Sequence, residues 1–440
     1  MTQDLNEVRL SDGTRISDLV DAEKGIISPR IFVDPEIYQL EMKKVFAKSW
    51  NFVAHETEIP NPGDYVTRYA GNDRVIVTRT EDGGINVFLN VCMHKGMQLC
   101  RTDCGNTKSF TCIYHGWNYD LEGTVIGTPA AKIAYRGLFE KSKFQLPKAR
   151  VGVYAGLVFA TFNDDAPSLE DWLGNAKFYL DVYFNRTPKG MEVIGEPMRW
   201  VFNANWKSAA DNFASDSYHT LSTHYSMVAI GITSPDPLLA SYGVQVALDN
   251  GHGMGIIPSP PKFPMGEYIG LPQEIVEESK KVLSPDQLEV LRRTNIVPGN
   301  LFPNISILVG YAMVEGKPVP FTTLRVWQPR GPQEVEQINW FLVEKEAPDW
   351  LKALSRDCFI QTFSASGMFE ADDAEVFTGI ARASQGVTVQ EKLKYHYVMG
   401  LGAEYEPVEW PGPGKVTPTT YSEQNSRNFF GQWAKMMSQI

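Results

Sequence analysis

The sequence predicts an α+β fold divided between two domains of different character. Brief apolar strands alternate with glycine-containing turns over residues 49–165, which predicts a small all-β domain. The remainder, residues 1–48 and 166–440, mixes helical and strand patterns and predicts a larger domain with an antiparallel sheet covered by helices. At 440 residues the chain is also long for a single hydrophobic core.

Composition narrows the functional classes. The hydrophobic fraction of 43% and the charged fraction of 21% are those of a globular protein. A net charge of −11 argues against general nucleic-acid binding, and no run of about eighteen apolar residues is present to span a membrane. Five cysteines without a signal-peptide pattern favour a reducing compartment, so we expect a cytoplasmic protein.

The elements of the small domain can be placed in order. An amphipathic pattern predicts a helix over residues 35–50, just before it. The strands Arg74–Arg79 and Ile85–Asn90 flank Glu-Asp-Gly-Gly and predict a hairpin. Further strands are expected near Trp117–Tyr119 and over Val153–Phe162.

In the larger domain, two segments predict a second pair of neighbouring strands. Thr322–Trp327 and Gln337–Val343 are rich in β-branched and aromatic residues, and they flank the turn Pro329–Pro332. Farther along, Phe369–Ile380 has a helical pattern.

Two short motifs in the small domain each combine a cysteine with a histidine. They are Cys92-Met-His94 and Cys112-Ile-Tyr-His115. One iron of a [2Fe–2S] cluster can take both thiolates while the other takes both imidazoles, which raises the reduction potential. A structural zinc site is the alternative, although its usual order places both cysteines before both histidines. The alternating order favours the iron–sulfur cluster.

The residues around these ligands carry a resemblance. Cys92-Met-His94-Lys-Gly96 and Cys112-Ile-Tyr-His115-Gly116-Trp117 resemble the ligand loops of Rieske proteins, specifically of ring-hydroxylating oxygenases. The two glycines allow a sharp backbone turn beside a cluster. Cys100 and Cys104 lie between the loops; an all-cysteine site would leave both histidines unused, so we interpret them as ordinary reduced cysteines, with Cys100 packed inside.

A second group of residues lies downstream. Asn205-Trp-Lys207, Asp211-Asn212, Asp216, Tyr218-His219 and His224 resemble the catalytic motif of ring-hydroxylating dioxygenases. The resemblance implies that His219 and His224, with one distant carboxylate, hold a mononuclear Fe(II) and leave other positions open. The histidines are five residues apart, about 140° on a regular helix, so we expect the helix to end or distort within residues 220–223. Two surface histidines on a polar helix are the alternative.

Asp373 is the candidate for the third ligand. In the predicted helix Phe369–Ile380 it falls on the apolar stripe of Phe369, Val376, Phe377 and Ile380, where a carboxylate is costly unless it is paired or bound to a metal. Asp372 and Glu375 point elsewhere, and helix capping suits Glu370 and Asp372 better. The resemblance selects the same residue, the second aspartate of the pair.

The resemblance extends from the first helix to about Pro348 and implies an activity. Such chains are α subunits of three-component enzymes, in which a reductase takes electrons from NADH and a ferredoxin delivers them to the Rieske cluster. The mononuclear iron then activates O2, and both oxygen atoms are added to an aromatic ring as a cis-dihydrodiol. Rieske enzymes that mono-oxygenate or demethylate use the same ligands, and an electron-transfer protein with structural zinc is a further alternative.

The resemblance also implies an assembly and two catalytic residues. Electrons cross to a neighbouring subunit in a hexamer with a small β subunit. Asp216 matches the residue that links His115 of one chain to His219 of the next, and Asn212 belongs to the same catalytic motif. Lys95, Arg101 and Lys108 surround the cluster loops, and we expect them to dock an acidic ferredoxin.

Uncharged side chains flank the predicted iron ligands. By analogy with the family they line the substrate pocket: Phe213, Ser217, Thr220, Phe363, Met368 and Phe369. An apolar pocket suits a bicyclic or polycyclic aromatic hydrocarbon or a heteroaromatic ring. An aromatic carboxylate would need an arginine in the pocket, for which Arg325 and Arg330 are the nearest candidates.

Overall fold

A computed structural model of the chain describes residues 7–230, 242–258, 267–314, 317–403 and 408–439. The chain separates into two compact units, one of residues 46–169 and one of residues 1–45 and 170–440. The larger unit begins with two short strands and a helix: β1 (Val20–Asp21), β2 (Ile26–Ile27) and α1 (Pro35–Lys44).

Helix α1 is shorter than the predicted helix over residues 35–50. It begins after the N-cap Asp34, whose carboxylate accepts the backbone N–H of Glu36 at 2.7 Å. A 3-10 turn, Phe46–Lys48, follows it. Asn51 donates its side-chain amide to the carbonyls of Phe46 and Ser49, at 3.0 and 3.1 Å. Because these carbonyls accept a side chain and not a helical N–H, the helical stretch ends before residue 50.

The smaller unit is built almost entirely of short strands. Its elements are β3 (Asn51–His55), β4 (Asp64–Ala70), β5 (Asp73–Arg79), β6 (Ile85–Leu89), β7 (Cys104–Asn106), β8 (Phe110–Thr111), β9 (Asn118–Tyr119), β10 (Val125–Gly127), α2 (Ala131–Ala134), β11 (Arg150–Tyr154) and β12 (Leu157–Thr161). They form three antiparallel sheets in the orders β6-β5-β4-β7, β11-β12-β3 and β10-β9-β8. The predicted all-β character of this region is confirmed.

Two of the strand predictions have different outcomes. The hairpin around Glu-Asp-Gly-Gly is present, with Val75 opposite Leu89 and Arg79 opposite Ile85. Strand structure is also present near Val153–Phe162, but as parts of two strands and not as one continuous strand. Ala155 and Gly156 both have positive φ, so the chain turns there and strands β11 and β12 pair as a second hairpin.

The larger unit resumes after β12 with helices and strands in alternation. Its elements are α3 (Leu169–Leu173), α4 (Ala176–Phe184), β13 (Met191–Val193), β14 (Met198–Phe202), α5 (Trp206–Ser215), α6 (Tyr225–Ala229), β15 (Val244–Ala247), β16 (Gly253–Pro258), α7 (Gln273–Ser279), α8 (Pro285–Arg293), β17 (Thr294–Leu301), β18 (Ile305–Val314), β19 (Lys317–Gly331), β20 (Glu334–Glu344), α9 (Asp349–Phe363), α10 (Met368–Ser384), α11 (Val387–Lys392), β21 (Tyr395–His396), β22 (Lys415–Thr417) and α12 (Gln424–Ser438).

A nine-stranded antiparallel sheet organises this unit. Its order is β13-β20-β19-β18-β17-β16-β15-β22, with β14 also paired to β20. Helices α5, α9 and α12 contact the sheet, and α10 contacts α9 and α5. The predicted strands around the Pro329–Pro332 turn are neighbours, with Thr322 opposite Leu342. The predicted sheet with helices over it is therefore confirmed.

A buried polar cluster fixes the start of α5. Lys207 lies 2.6 Å from Glu41 of α1, and both side chains are fully buried. Glu41 also accepts the indole N–H groups of Trp206 and Trp433 at 3.0 and 2.8 Å. Removing one partner of a buried, hydrogen-bonded ion pair leaves an uncompensated charge, so this cluster ties α1, α5 and α12 together.

Candidate metal centres

The two Cys/His loops of the smaller unit have the same backbone geometry. In the first loop, Cys92 N–H donates to Met97 at 2.8 Å, and Gly96 N–H donates to Cys92 at 2.9 Å. The second loop repeats this pattern: Cys112 N–H donates to the carbonyl of Trp117 at 2.8 Å, and Gly116 N–H donates to that of Cys112 at 2.9 Å. Both glycines have positive φ, +73° and +70°, which a side chain would strain.

The four side chains of these loops suit a two-iron cluster. Cys92 and Cys112 are buried, and the rings of His94 and His115 lie 4.4 Å apart. Nδ1 of His94 is buried without a hydrogen-bond partner, which suits a metal-binding nitrogen. Four donors on one zinc would lie within about 4 Å of each other. In the part of the chain that the structure describes, no three of these donors lie within 4.8 Å of one another.

Neighbouring groups support the cluster loops. Tyr119 places its hydroxyl 3.4 Å from the Cys92 sulfur and accepts the N–H of Met93 at 3.1 Å. Burial raises the pKa of the Cys92 thiol, so a bound metal is needed to hold it as the thiolate. Cys100 is buried and its N–H donates to Asn90 at 2.7 Å, whereas Cys104 is exposed. Neither forms a disulfide, so both are reduced cysteines, as predicted.

The two downstream histidines lie on an interrupted helical segment. Helix α5 ends at Ser215, and His219 lies in a 3-10 turn, Tyr218–Leu221. His224 immediately precedes α6. The predicted interruption is present, but it begins earlier than residues 220–223. Asp216 already has non-helical angles, φ −87° and ψ 73°, and its carboxylate accepts the N–H of His219 at 3.0 Å.

Three side chains bring their donor atoms together. Nε2 of His219 and Nε2 of His224 are 3.1 Å apart. Oδ1 of Asp373 lies 3.5 Å from the first and 3.3 Å from the second. Among the described residues, this is the one group of three such donors within 4.8 Å. Two imidazoles and one carboxylate that can bind one face of a metal ion are the donor set of a non-haem Fe(II) site.

Helix α10 buries the carboxylate, though not along the predicted stripe. Asp373 is buried, but Val376 is 39% exposed. Glu370 is buried and caps nothing: its Oε2 accepts from the Arg325 guanidinium at 3.0 Å and its Oε1 from Gln337 at 2.6 Å. Glu370 does lie in the first turn of the helix, as the capping interpretation required, but neither it nor Asp372 makes a capping hydrogen bond. Gly367 precedes the helix without a side-chain cap, and Asp372 faces a histidine instead.

The electrostatics of the three side chains favour a cation. Burial acts to lower the pKa of His219, but its hydrogen bonds with Asp216 and Asp373 outweigh burial and raise that pKa to about 10. Burial likewise opposes the charged form of Asp373, yet the two histidines hold its pKa below the usual range. The Asp373 carboxylate is therefore ionised and attracts a cation. A divalent metal ion can take the place of the proton on the His219 imidazole.

Asn212 and Asp216 both lie beside His219. Nδ1 of His219 contacts the backbone carbonyl of Asp216, and the side-chain amide of Asn212 is 3.3 Å from the same nitrogen. The Asp216 carboxylate is 3.6 Å from Nδ1, and its side chain is 44% exposed. The outer nitrogen of this imidazole is therefore held mainly by backbone, while the carboxylate of Asp216 extends towards solvent.

The predicted pocket residues lie in different surroundings. Phe369 packs edge-on against His224, with ring centres 5.0 Å apart, and stacks with Phe363 at 5.1 Å. Phe213 instead packs under the Arg325 guanidinium, 4.4 Å from its ring centre. Ser217 is buried, and Thr220 donates its hydroxyl to the Ser217 carbonyl at 2.8 Å. Met368 is half-buried at the start of α10.

The Arg325–Glu370 pair was not predicted as part of this region. Arg325 is fully buried and lies over the rings of Phe213 and Phe363. Its position within the strand pattern Thr322–Trp327 was a signal, because buried arginines are rare unless they are paired. Nothing in the sequence indicates that its partner lies on α10.

This chain carries both a pair of Cys/His loops and a group of two histidines with one carboxylate. That combination is found in Rieske non-haem iron oxygenases. Comparisons with known proteins agree with this class. Residues 49–138 match the Rieske [2Fe-2S] domain, and residues 169–439 match the ring hydroxylating alpha subunit (catalytic domain). The chain belongs to the ring-hydroxylating dioxygenase α subunits, which are oxidoreductases with one [2Fe–2S] cluster and one mononuclear iron.

Individual relatives cover nearly the whole chain. Benzene 1,2-dioxygenase subunit alpha from Pseudomonas putida is 38% identical, over 97% of this chain and 94% of that protein. N,N-dimethyl phenylurea N-demethylase subunit alpha from Sphingobium sp. (strain YBL2) is 35% identical, over 97% and 96%. The crystal structure of naphthalene 1,2-dioxygenase from Rhodococcus sp. bound to indole has 44% identity and a TM-score of 0.91, covering 94% of each chain.

No helix in the described part of the chain is long and apolar enough to cross a membrane.

Proposed function

We propose that this chain is the terminal oxygenase α subunit of a three-component system that cis-dihydroxylates an aromatic ring. The observation that carries the proposal is the pair of distinct ligand sets on one chain, one suited to electron transfer and one to O2 activation. When bound, the cluster supplies one-electron transfer and the iron supplies open coordination positions for O2. Electrons come from NADH through a reductase and a ferredoxin.

Named residues have separate tasks in this proposal. Cys92, His94, Cys112 and His115 hold the cluster, and His219, His224 and Asp373 hold the iron. Asp216 extends its carboxylate beyond His219, which supports a role in linking that histidine to the cluster of a neighbouring subunit. Asn212 holds the His219 ring beside it.

An uncharged aromatic substrate fits the surroundings of the iron group. The stacked rings of Phe363 and Phe369 lie beside His224, so an apolar wall meets the metal-binding side chains. The two arginines that were candidates for binding a substrate carboxylate are already paired: Arg325 with Glu370, and Arg330 with Glu336. Neither guanidinium is available without breaking an ion pair. This favours a bicyclic or polycyclic aromatic hydrocarbon, or a heteroaromatic, over an aromatic carboxylate.

An N-demethylase or another Rieske monooxygenase is the second candidate. The Sphingobium demethylase subunit is almost as similar to this chain as the benzene dioxygenase subunit is, 35% against 38%. The same two-histidine, one-carboxylate group serves both reactions, so the ligands do not separate them. The pocket and the substrate decide which bond is attacked.

The proposed partners follow from the same assignment. We propose an assembly of three α and three small β subunits in the cytoplasm, because the resemblance to the family implies that Asp216 links the cluster of one subunit to His219 of the next. Lys95, Arg101 and Lys108 are exposed near the cluster loops of a chain whose net charge is −11. A local basic patch on an acidic protein supports docking of an acidic ferredoxin there.

Single-turnover chemistry tests the proposed reaction. The reduced oxygenase is mixed with naphthalene, biphenyl, indole or an N,N-dimethyl phenylurea under 18O2, and products are identified by mass spectrometry. A cis-dihydrodiol with two labelled oxygen atoms is the expected result. A phenol with one label, or a demethylated urea, would instead assign the chain to the monooxygenases.

A further inference from the structure

The outer nitrogens of the two candidate iron-binding histidines have different partners. Nδ1 of His219 contacts a backbone carbonyl, that of Asp216. Nδ1 of His224 instead faces a carboxylate: Oδ2 of Asp372 lies 3.4 Å away. A carboxylate thus lies near both outer nitrogens, but the nearest partner differs: for His219 it is the Asp216 backbone carbonyl, with the Asp216 carboxylate at 3.6 Å, whereas for His224 it is the Asp372 carboxylate.

We propose that Asp372 is a positioning residue for the mononuclear iron, acting through His224. Its carboxylate accepts the Nδ1–H of His224, which selects the tautomer whose Nε2 lone pair faces the iron. A carboxylate in this position also increases the electron donation of the imidazole to a metal. The inference rests on the proposed function only in that iron occupies the site of His219, His224 and Asp373.

Adjacent residues of α10 contact the two ring nitrogens of one imidazole. Oδ1 of Asp373 lies 3.3 Å from Nε2 of His224, while Oδ2 of Asp372 lies 3.4 Å from Nδ1. A rotation of the ring that improved one contact would weaken the other. The two carboxylates therefore fix the ring plane relative to α10.

Two further contacts restrict the same imidazole. Phe369, one turn earlier on α10, packs edge-on against the His224 ring, with an interplanar angle of 72°. Ser226, on α6, donates its hydroxyl to Oδ2 of Asp372 at 3.3 Å. The hydroxyl holds the carboxylate in place, and a fixed carboxylate holds the imidazole better than a mobile one.

Fe(II) affinity is the direct test, because it requires no aromatic substrate and no turnover. The mononuclear iron is removed by a mild chelator while the Rieske spectrum confirms an intact cluster, and Fe(II) is then titrated against a competing chelator. The variants are Asp372→Ala, Asp372→Asn and Ser226→Ala. Glu375→Gln is the matched control, since Glu375 is an exposed carboxylate on the same helix.

The expected order of affinities is specific. Asp372→Ala should weaken Fe(II) binding by about 10- to 100-fold, the usual cost of losing such a partner. Asp372→Asn should lose less, because an amide oxygen still accepts the Nδ1–H. Ser226→Ala should lose less again, and Glu375→Gln nothing. The electron paramagnetic resonance spectrum of the ferrous nitric oxide complex should change in Asp372→Ala, since the imidazole is reoriented.

Two results would overturn the proposal. Equal Fe(II) affinity in Asp372→Ala and wild type would show that the carboxylate does not act on the iron. An affinity loss matched by an equal loss of thermal stability in the iron-depleted protein would assign Asp372 to structure only. Failure of the wild type to bind Fe(II) at this site would remove the proposed function as well, whereas tight binding without dioxygenation would remove the function alone.

Discussion

The two candidate metal centres of this chain are built in opposite ways. Each cluster loop is local: its cysteine and histidine are separated by one or two residues, and the backbone hydrogen bonds that shape it lie within the same loop. The iron group joins His219 and His224 to Asp373, from a helix far along the chain. A local centre depends on turn geometry, whereas a non-local one depends on how α10 packs beside α5.

Loss of one proposed iron-binding residue should separate the two centres most clearly. His219→Ala should reduce oxygenation by more than about a thousandfold, because a site with two remaining donors cannot hold the iron. The visible absorption of the cluster should be unchanged, since its ligands lie in other loops. His396→Ala, which removes an exposed histidine, is the control. A loss of the cluster absorption in His219→Ala would show that the centres are not independent.

The buried ion pair beneath α10 should give the next largest effect. Arg325→Met leaves the Glu370 carboxyl group buried without its cation, whether it stays ionised or takes up a proton, which costs about 3–5 kcal/mol of unfolding free energy. Adding Glu370→Gln should restore most of the loss, because the unpaired ionisable group is removed. Urea unfolding of the single and double variants measures this coupling. Additive effects of the two substitutions would contradict it.

Arg330→Met is the comparison for that experiment. Its pair with Glu336 is partly exposed, so the loss should stay near 1 kcal/mol.

Asp211 on α5 should make stability depend on pH. Burial raises its pKa to about 8, and Asp216 and Glu423 act in the same direction, although hydroxyls of Ser426 and Tyr397 oppose them. Between pH 4 and 8 the folded state therefore keeps a proton that the unfolded state has released. Stability should fall with rising pH by about 1.4 kcal/mol per unit from this group.

Asp211→Asn isolates that contribution. The difference in unfolding free energy between wild type and variant should change steadily over this pH range, because other titrating groups are common to both proteins. A difference that is independent of pH would show that Asp211 ionises normally.

The smallest expected effect concerns the smaller unit and its redox partner. Lys95→Glu with Arg101→Glu should slow reduction of the cluster by ferredoxin about tenfold and weaken its dependence on ionic strength. Lys392→Glu with Lys394→Glu makes the same charge change at exposed positions of the larger unit. Stopped-flow absorption measures both. Equal rates in the two double variants would place the docking surface elsewhere.

The same contrast explains what the sequence could predict. The loops at Cys92 and Cys112, and the hairpin around Glu-Asp-Gly-Gly, depend on neighbouring residues, so their patterns are readable. Asp373 could be selected because burying a carboxylate on an apolar helix face is costly unless it is paired or bound to a metal. The early end of α5 was not predicted, although its contact is local: the Asp216 carboxylate accepts the N–H of His219, three residues further on.

Residues whose partners are distant in sequence were the ones misjudged. Glu370 resembles a helix-capping residue until Arg325, 45 positions away, is seen beside it. Asp372 likewise meets His224 across 148 positions. Local patterns contain no information about such pairs, since only the packing of α10 against the sheet and α5 brings them together.

Metal content tests the central claim, that separate residue sets hold two different iron centres. Two separate centres require about three iron atoms and two acid-labile sulfides per chain in wild type. His219→Ala should retain about two irons and both sulfides, and Cys92→Ser should retain about one iron and no sulfide. Loss of all iron from both variants, or zinc in place of iron with no sulfide, would contradict the account.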